Sequence, residues 1–208
     1  MRPFLIRLSI VFNCLTILII LAFSAIYHNF LYEKIWLRKH ATVVMLGDSH
    51  TDAVDWRDQI GRGDIKNSGL PGLTTSHFQW MLHDKVLRYT PEICYIEGGG
   101  NDLGAGIPTT RIIQNLSSII DTLQHHKIRP ILQSVIITPD PSKNTAIDSL
   151  NMQYQDLAKK KGIEFLDTND HLRKNGISEY LPDRIHLKES AHIPWAQIIK
   201  SNLIKNSI

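Results

Sequence analysis

The sequence predicts an α/β domain built on a parallel β-sheet with helices on both faces, preceded by one apolar N-terminal span. Three observations predict it. Short apolar runs, each closed by a turn, alternate with longer amphipathic stretches, as strands alternate with crossover helices. The run Leu8–Tyr27 carries no charge and is broken only by Ser9, Asn13, Thr16 and Ser24. Four short polar clusters fall at the ends of the apolar runs or before the last helix, where a parallel sheet places its ligand crevice.

The elements follow in chain order. At ~1.5 Å per residue, Leu8–Tyr27 is long enough to cross a ~30 Å hydrocarbon layer. Arg2 and Arg7 precede it and Lys34, Arg38 and Lys39 follow, so the count of positive charges leaves its orientation open. A retained anchor is the favoured reading, and Ala22-Phe23-Ser24 leaves cleavage as a signal peptide open. A signal-anchor would leave the rest of the chain in the periplasm or outside the cell. Residues 1–40 are thus expected to be anchor and juxtamembrane stretch (28–40), and residues 41–208 the domain.

Thr42-Val43-Val44-Met45-Leu46 reads as a buried first strand that ends at Gly47. A short second strand starts at Ile65, a third is Ile93–Ile96, a fourth spans Ile131–Ile137 and a fifth Ile163–Leu166. Between them, Ile112, Ile113, Leu116, Ile119, Ile120 and Leu123 form one helical stripe. A further helix is expected over Thr145–Lys161. The last should follow Pro194, a favourable first-turn residue, and turn Trp195, Ile198, Ile199 and Leu203 inward.

Composition narrows the function. The chain has 208 residues and a net charge of +3, enough for one substantial core after the apolar span. Its Lys and Arg residues are scattered, which argues against a nucleic-acid partner. Cys14 lies in the apolar span and Cys94 in a predicted strand, so a disulfide between them is not expected. His125-His126 fall at a helix end as polar capping residues, and no His/Cys cluster has metal-ligand spacing; no metal or other cofactor is called for.

The four clusters carry the chemistry. Gly47-Asp48-Ser49-His50-Thr51-Asp52 sets a serine in the turn after a strand, where it can act as a nucleophile if a base lies nearby. Its alternative is a helix cap, and Asp48 and Asp52 read as turn and cap residues. Asn67–Gly72 offers two glycines whose backbone can approach a substrate, or an ordinary turn before a helix capped by Thr74 or Thr75. Gly99-Gly100-Asn101-Asp102 offers an amide donor in Asn101, with no Gly-Lys-Ser/Thr to make it a phosphate loop. Asp183-Arg184-Ile185-His186 spaces a carboxylate and an imidazole so that the acid can hold Nδ1 and leave Nε2 for the serine. His50 and His77 fall near these loops and read as crevice or surface residues.

Together the clusters resemble the SGNH, or GDSL-type, hydrolase family, whose blocks are built around Ser, Gly, Asn and His. The resemblance covers roughly Thr42–Leu203. It is nearest the small single-domain branch that includes platelet-activating-factor acetylhydrolase-type esterases, which Gln133-Ser134-Val135, Leu150-Asn151 and His186–Trp195 also echo. It implies a flavodoxin-like three-layer α/β/α fold with a five-stranded parallel sheet and metal-free hydrolysis of carboxylic esters. By position it makes Ser49 the nucleophile, Gly72 and Asn101 the oxyanion donors, and Asp183 and His186 the rest of the triad. Two residues depart from the branch: Arg184 replaces a usual glycine, and His192 a usual aromatic.

The expected partner is a small acyl ester, of carbohydrate or lipid origin, met by a domain tethered to the membrane. Short O-acetyl esters are the leading substrates. A lysophospholipase, a thioesterase or an O-acyltransferase on carbohydrate are the alternatives, and an intact Ser-Gly-Asn-Asp-His set argues against a binding module with no activity.

Overall fold

The structure, a computed structural model, describes residues 2–27 and 40–208, so the expected juxtamembrane stretch lies outside the described residues except for His40. The described residues fall into two units, taken separately. The first is helix α1 (Arg2–Ile26), whose segment Ser9–Ile26 is long and apolar enough to cross a membrane and has its side chains exposed. Thr16 turns its hydroxyl onto the Phe12 carbonyl at 2.9 Å, which leaves that side chain satisfied in an apolar setting. Cys14 on this helix and Cys94 in the second unit are both unpaired.

The second unit is a five-stranded, all-parallel sheet in the order β2-β1-β3-β4-β5. The strands are β1 (Val43–Gly47), β2 (Ile65–Gly69), β3 (Ile93–Ile96), β4 (Arg129–Gln133) and β5 (Glu164–Leu166). Val43, Leu46, Ile93 and Ile96 are wholly buried, which explains why β1 and β3 read as continuous apolar runs rather than alternating ones. Two short helices, α2 (Ser49–Asp52) and α3 (Trp56–Ile60), link β1 to β2. Then come α4 (Thr75–Lys85), α5 (Gly100–Gly104), α6 (Thr109–His125), α7 (Pro141–Lys161), α8 (Asp170–Asn175) and α9 (Glu189–Lys205). With right-handed crossovers this strand order places α4, α6 and α7 on one face and α3 and α9 on the other. Trp56 of α3 meets Trp195 of α9 edge to face, with ring centroids 5.0 Å apart.

Three elements have bounds that differ from the sequence reading. The fourth strand starts earlier, at Arg129, and stops at Gln133 rather than Ile137. Its neighbour β5 ends at Leu166, which accepts one last bond from the Ser134 N–H at 2.9 Å. Beyond that point side-chain amides replace the ladder: Asn151 Oδ1 takes the Val135 N–H at 2.7 Å and Asn169 Oδ1 that of Ile137 at 3.0 Å. The last helix begins at Glu189, not after Pro194, so that proline lies inside it. A proline there costs the bond to the carbonyl four residues back. Trp195, Ala196, Ile199 and Leu203 still face the core, while Ile198 is half-buried. Helix α7 starts four residues before its expected position, because Asp140 caps it by accepting the Ser142 N–H at 3.1 Å and Pro141 occupies its first position.

Candidate active site

The direction of chain travel reverses at β1: one connection leads outward to β2 and the next crosses to β3. Crevices form beyond the carboxyl ends of strands at such a point. Ser49 follows β1 and Asn101 follows β3, so both fall at this edge without being adjacent in sequence.

Ser49 opens helix α2. Asp48, not Ser49, is the cap of this helix, and its Oδ1 accepts the His50 N–H at 3.0 Å. Asn67 pins the turn from the side: its amide donates to the carbonyls of Thr51, Asp52 and Val54, each at 3.1 Å. Thr74 caps α4, and its hydroxyl lies 2.8 Å from His77 Nδ1, which makes His77 an exposed capping partner.

The segment with Asp183 and His186 is a narrow loop closed at its base. Tyr180 and Leu187 form an antiparallel bridge, Leu181 N–H reaches the His186 carbonyl at 2.8 Å, and Tyr180 Oη donates to the Ile137 carbonyl at 2.6 Å. Within it Asp183 Oδ1 accepts the backbone N–H groups of Ile185 at 2.9 Å and His186 at 3.0 Å. Its Oδ2 lies 2.7 Å from His186 Nδ1, and His186 Nε2 lies 3.1 Å from Ser49 Oγ. The structure thus joins Asp183, His186 and Ser49 in one hydrogen-bonded chain across 137 residues of sequence. The His186 hydrogen bond, with the two backbone N–H groups behind it, holds the Asp183 carboxyl at a pKa of about 2, below its ordinary 3.8. The exposed pair therefore persists above the acid range and is lost as the pH falls toward that value.

Arg184 has φ of +59°, the left-handed conformation that suits glycine. This accounts for the glycine of the related branch at this position, and the arginine here bears a strain of roughly 1–2 kcal/mol. Arg184→Gly is therefore expected to hold or raise the melting temperature, and Arg184→Val to lower it by ~2–4 °C per kcal/mol of added strain. Thermal melts of the two variants check this.

Gly72 lies in the exposed turn after β2 with φ of +76° and open space where a Cβ would be. Among the described residues, neither the Gly72 nor the Ser49 N–H donates to another protein group. Asn101 is half-buried in α5, and its Nδ2 donates to the Leu73 carbonyl at 2.9 Å and to Asp48 Oδ2 at 3.3 Å. The second bond is long, so one N–H of this amide is only loosely held. The glycines before it are a strand exit: a Cβ at Gly99, whose φ is +112°, would strike the Tyr154 hydroxyl, which instead donates to the Gly98 carbonyl at 2.9 Å.

Two histidines flank the chain of hydrogen bonds. The His50 ring lies 5.8 Å from that of His186. Burial, with the charges of His186 and His192 nearby, lowers its pKa to about 4, so it is neutral at working pH. His192 is buried on α9, and burial lowers its pKa too. The sequence reading missed Glu97, which directly follows β3 and is 1% exposed. The signal was a lone carboxylate directly after the apolar run Ile93-Cys94-Tyr95-Ile96.

Residues 45–192 match the GDSL-like Lipase/Acylhydrolase family. The chain belongs to that family, whose members cleave esters. Among curated proteins it is 31% identical over 121 residues to the uncharacterized lipoprotein YqeF of Bacillus subtilis, a match covering 48% of this chain and 50% of that protein. The chain thus spans half the length of that relative. It is 24% identical to an arylesterase of Vibrio mimicus, over 68% of this chain and 70% of that one. Among solved structures, a GDSL-like lipase from Bacteroides thetaiotaomicron aligns with a TM-score of 0.71 at 22% identity, covering 79% of this chain and 88% of that one. An acetylxylan esterase variant from Geobacillus stearothermophilus aligns with a TM-score of 0.69 at 15% identity, covering 80% and 96%. These two likenesses establish the fold.

Proposed function

We propose that this GDSL family member is a serine esterase, tethered through α1, that hydrolyses short acyl esters, O-acetyl groups foremost, by way of an acyl-enzyme. The observation that carries this reading is the unbroken run Asp183 Oδ2–His186 Nδ1, His186 Nε2–Ser49 Oγ at 2.7 and 3.1 Å. Asp183 holds the proton on Nδ1, so Nε2 is free to accept the Ser49 hydroxyl proton as Oγ attacks the ester carbonyl. The oxyanion then takes N–H bonds from Ser49, Gly72 and the loosely held proton of Asn101. His186 returns the proton to the departing alcohol, and water repeats the cycle to release the acid. The acetylxylan esterase among the fold neighbours supports a small acyl group, and the arylesterase among the relatives supports ester cleavage.

Asn101→Ala is expected to lower kcat by about 10²–10³, the scale for one oxyanion donor, with the fold intact. Steady-state kinetics beside a thermal melt check it, and an unchanged kcat would remove Asn101 from the reaction.

A second reading is favoured by two apolar side chains on the loop that carries His186. Leu181 is 41% exposed and Ile185 53% exposed, and such residues suit a longer acyl chain or a lipid. A series of acyl esters separates the two readings. Each methylene gains at most ~0.8 kcal/mol when buried. If acetyl esters are cleaved at least as well as octanoyl esters, the short-chain reading stands; a steep rise in kcat/KM with chain length supports the lipase-like one. The tether is tested by fractionation: the full chain should sediment with membranes and be released by detergent.

A further inference from the structure

We propose that Asp48 and Glu97 share one proton beneath Ser49, and that the Asp48 carboxylate kept ionised by this arrangement is a positioning residue that fixes the Asn101 amide for catalysis. Asp48 is 2% exposed and Glu97 1% exposed. Two bare carboxylates cannot both be buried at this distance from water without one binding a proton. The surroundings show which acid keeps it. Asp48 accepts two N–H groups, from His50 at 3.0 Å on Oδ1 and from Asn101 at 3.3 Å on Oδ2, both of which favour its anion. Glu97 accepts the Thr51 hydroxyl, at 2.9 Å on Oε2, and meets the Asp48 backbone N–H. Asp48 alone of the two also faces His186, whose charge favours its anion, so Glu97 is the acid and donates its proton to Asp48.

Burial and the Asp48 charge push the Glu97 carboxyl well above its ordinary range, and burial raises Asp48 to about 6. The other charges facing the pair are His186, which favours the Asp48 anion, and Asp102, which opposes it. Asp102 is engaged by the Thr75 N–H and hydroxyl, the latter at 2.6 Å. The Tyr154 hydroxyl is buried nearby and spent on the Gly98 carbonyl.

The consequence for Asn101 is geometric. Its Nδ2 is met by two acceptors, the Leu73 carbonyl and the Asp48 carboxylate. A flipped amide would turn its own carbonyl toward both and be repelled, so the N–H side is held beside the Ser49 turn. The same anion is felt by His186 as a carboxylate additional to Asp183.

The proposal rests on the esterase reading above, and the test separates the two. Asp48→Asn keeps an acceptor for the His50 N–H but presents an amide donor to Asn101. It is expected to lose about 10–100-fold in kcat, less than removal of the donor itself, with KM changed by less than about threefold. Glu97→Ala should lose activity and Glu97→Gln restore most of it, because the amide can donate to Asp48 and accept from Thr51.

Two readouts report the proton itself. A carboxylic-acid carbonyl band should persist in the infrared spectrum of wild type above about pH 6, where Asp48 is ionised, and vanish in Glu97→Gln. A raised carboxyl pKa gives stability that is complete below about pH 4 and is lost as the pH rises, so the melting temperature of Glu97→Gln should gain on wild type as the pH rises above about 4.

No acid band in wild type, or wild-type kcat in Asp48→Asn, would overturn the proposal. Should Asp48→Asn fail to fold, the infrared band and the rescue by Glu97→Gln still decide it. Full activity in Ser49→Ala would instead sink the esterase reading, leaving the acid band to stand or fall alone.

Discussion

Ser49→Ala is expected to abolish ester hydrolysis, with a loss of about 10⁴–10⁶ in kcat, while the melting temperature stays near that of wild type. The magnitude is that of a nucleophile working as one unit with its base, where removing either member costs nearly as much as removing all. The stability expectation follows from the site itself. Asp48 rather than Ser49 caps α2, and Asn67 and Trp56 secure the turn through the carbonyls of Thr51, Asp52 and Val54. Among the described residues the hydroxyl of Ser49 meets only His186 Nε2, so its loss leaves no buried group there unpaired. A fluorophosphonate probe should label wild type and leave Ser49→Ala unlabelled. Equal labelling would mean that some other nucleophile attacks, and the His186 contact would then be structural.

How much of this was legible in the sequence depends on how local each signal is. Asp183 and His186 stand three residues apart, and Ser49 follows an apolar run into a turn, so their chemistry shows in short windows. The parallel sheet was legible in the alternation of strands with helices, whereas its strand order was not written in any one window. The role of Glu97 was hidden for the opposite reason, although its place after an apolar run was visible. Its partners Asp48 and Thr51 lie 49 and 46 residues away, and nothing near Glu97 announces them.

The early end of β4 had the same cause, since it depends on where β5 stops and on Asn151 and Asn169 reaching in from two helices' neighbourhoods. Pro194 misled because its place in the first turn is a preference, whereas the burial of Ala191 and His192 extends the helix ahead of it. Arg184 was legible only as a departure from the related branch, and the positive φ gives that departure its physical meaning.

Asp183→Asn should be more damaging than Asp183→Ala, although it is the smaller change. Asp183 Oδ1 accepts two backbone N–H groups, from Ile185 and His186, and only an oxygen can serve there. An asparagine is therefore held with its oxygen toward the backbone and its NH₂ toward His186 Nδ1. That amide is a donor, so Nδ1 must become an acceptor and the ring proton moves to Nε2. A protonated Nε2 cannot take the Ser49 proton, and the loss is expected at roughly 10³–10⁴ in kcat. Alanine removes the support without imposing the wrong tautomer, so part of the ring population keeps Nε2 free and more activity should survive. The comparison needs only kcat for the two variants and a melting curve for each. A value for Asp183→Asn above that for Asp183→Ala would show that the amide does not impose the unproductive tautomer on His186 and would sink this account of Asp183.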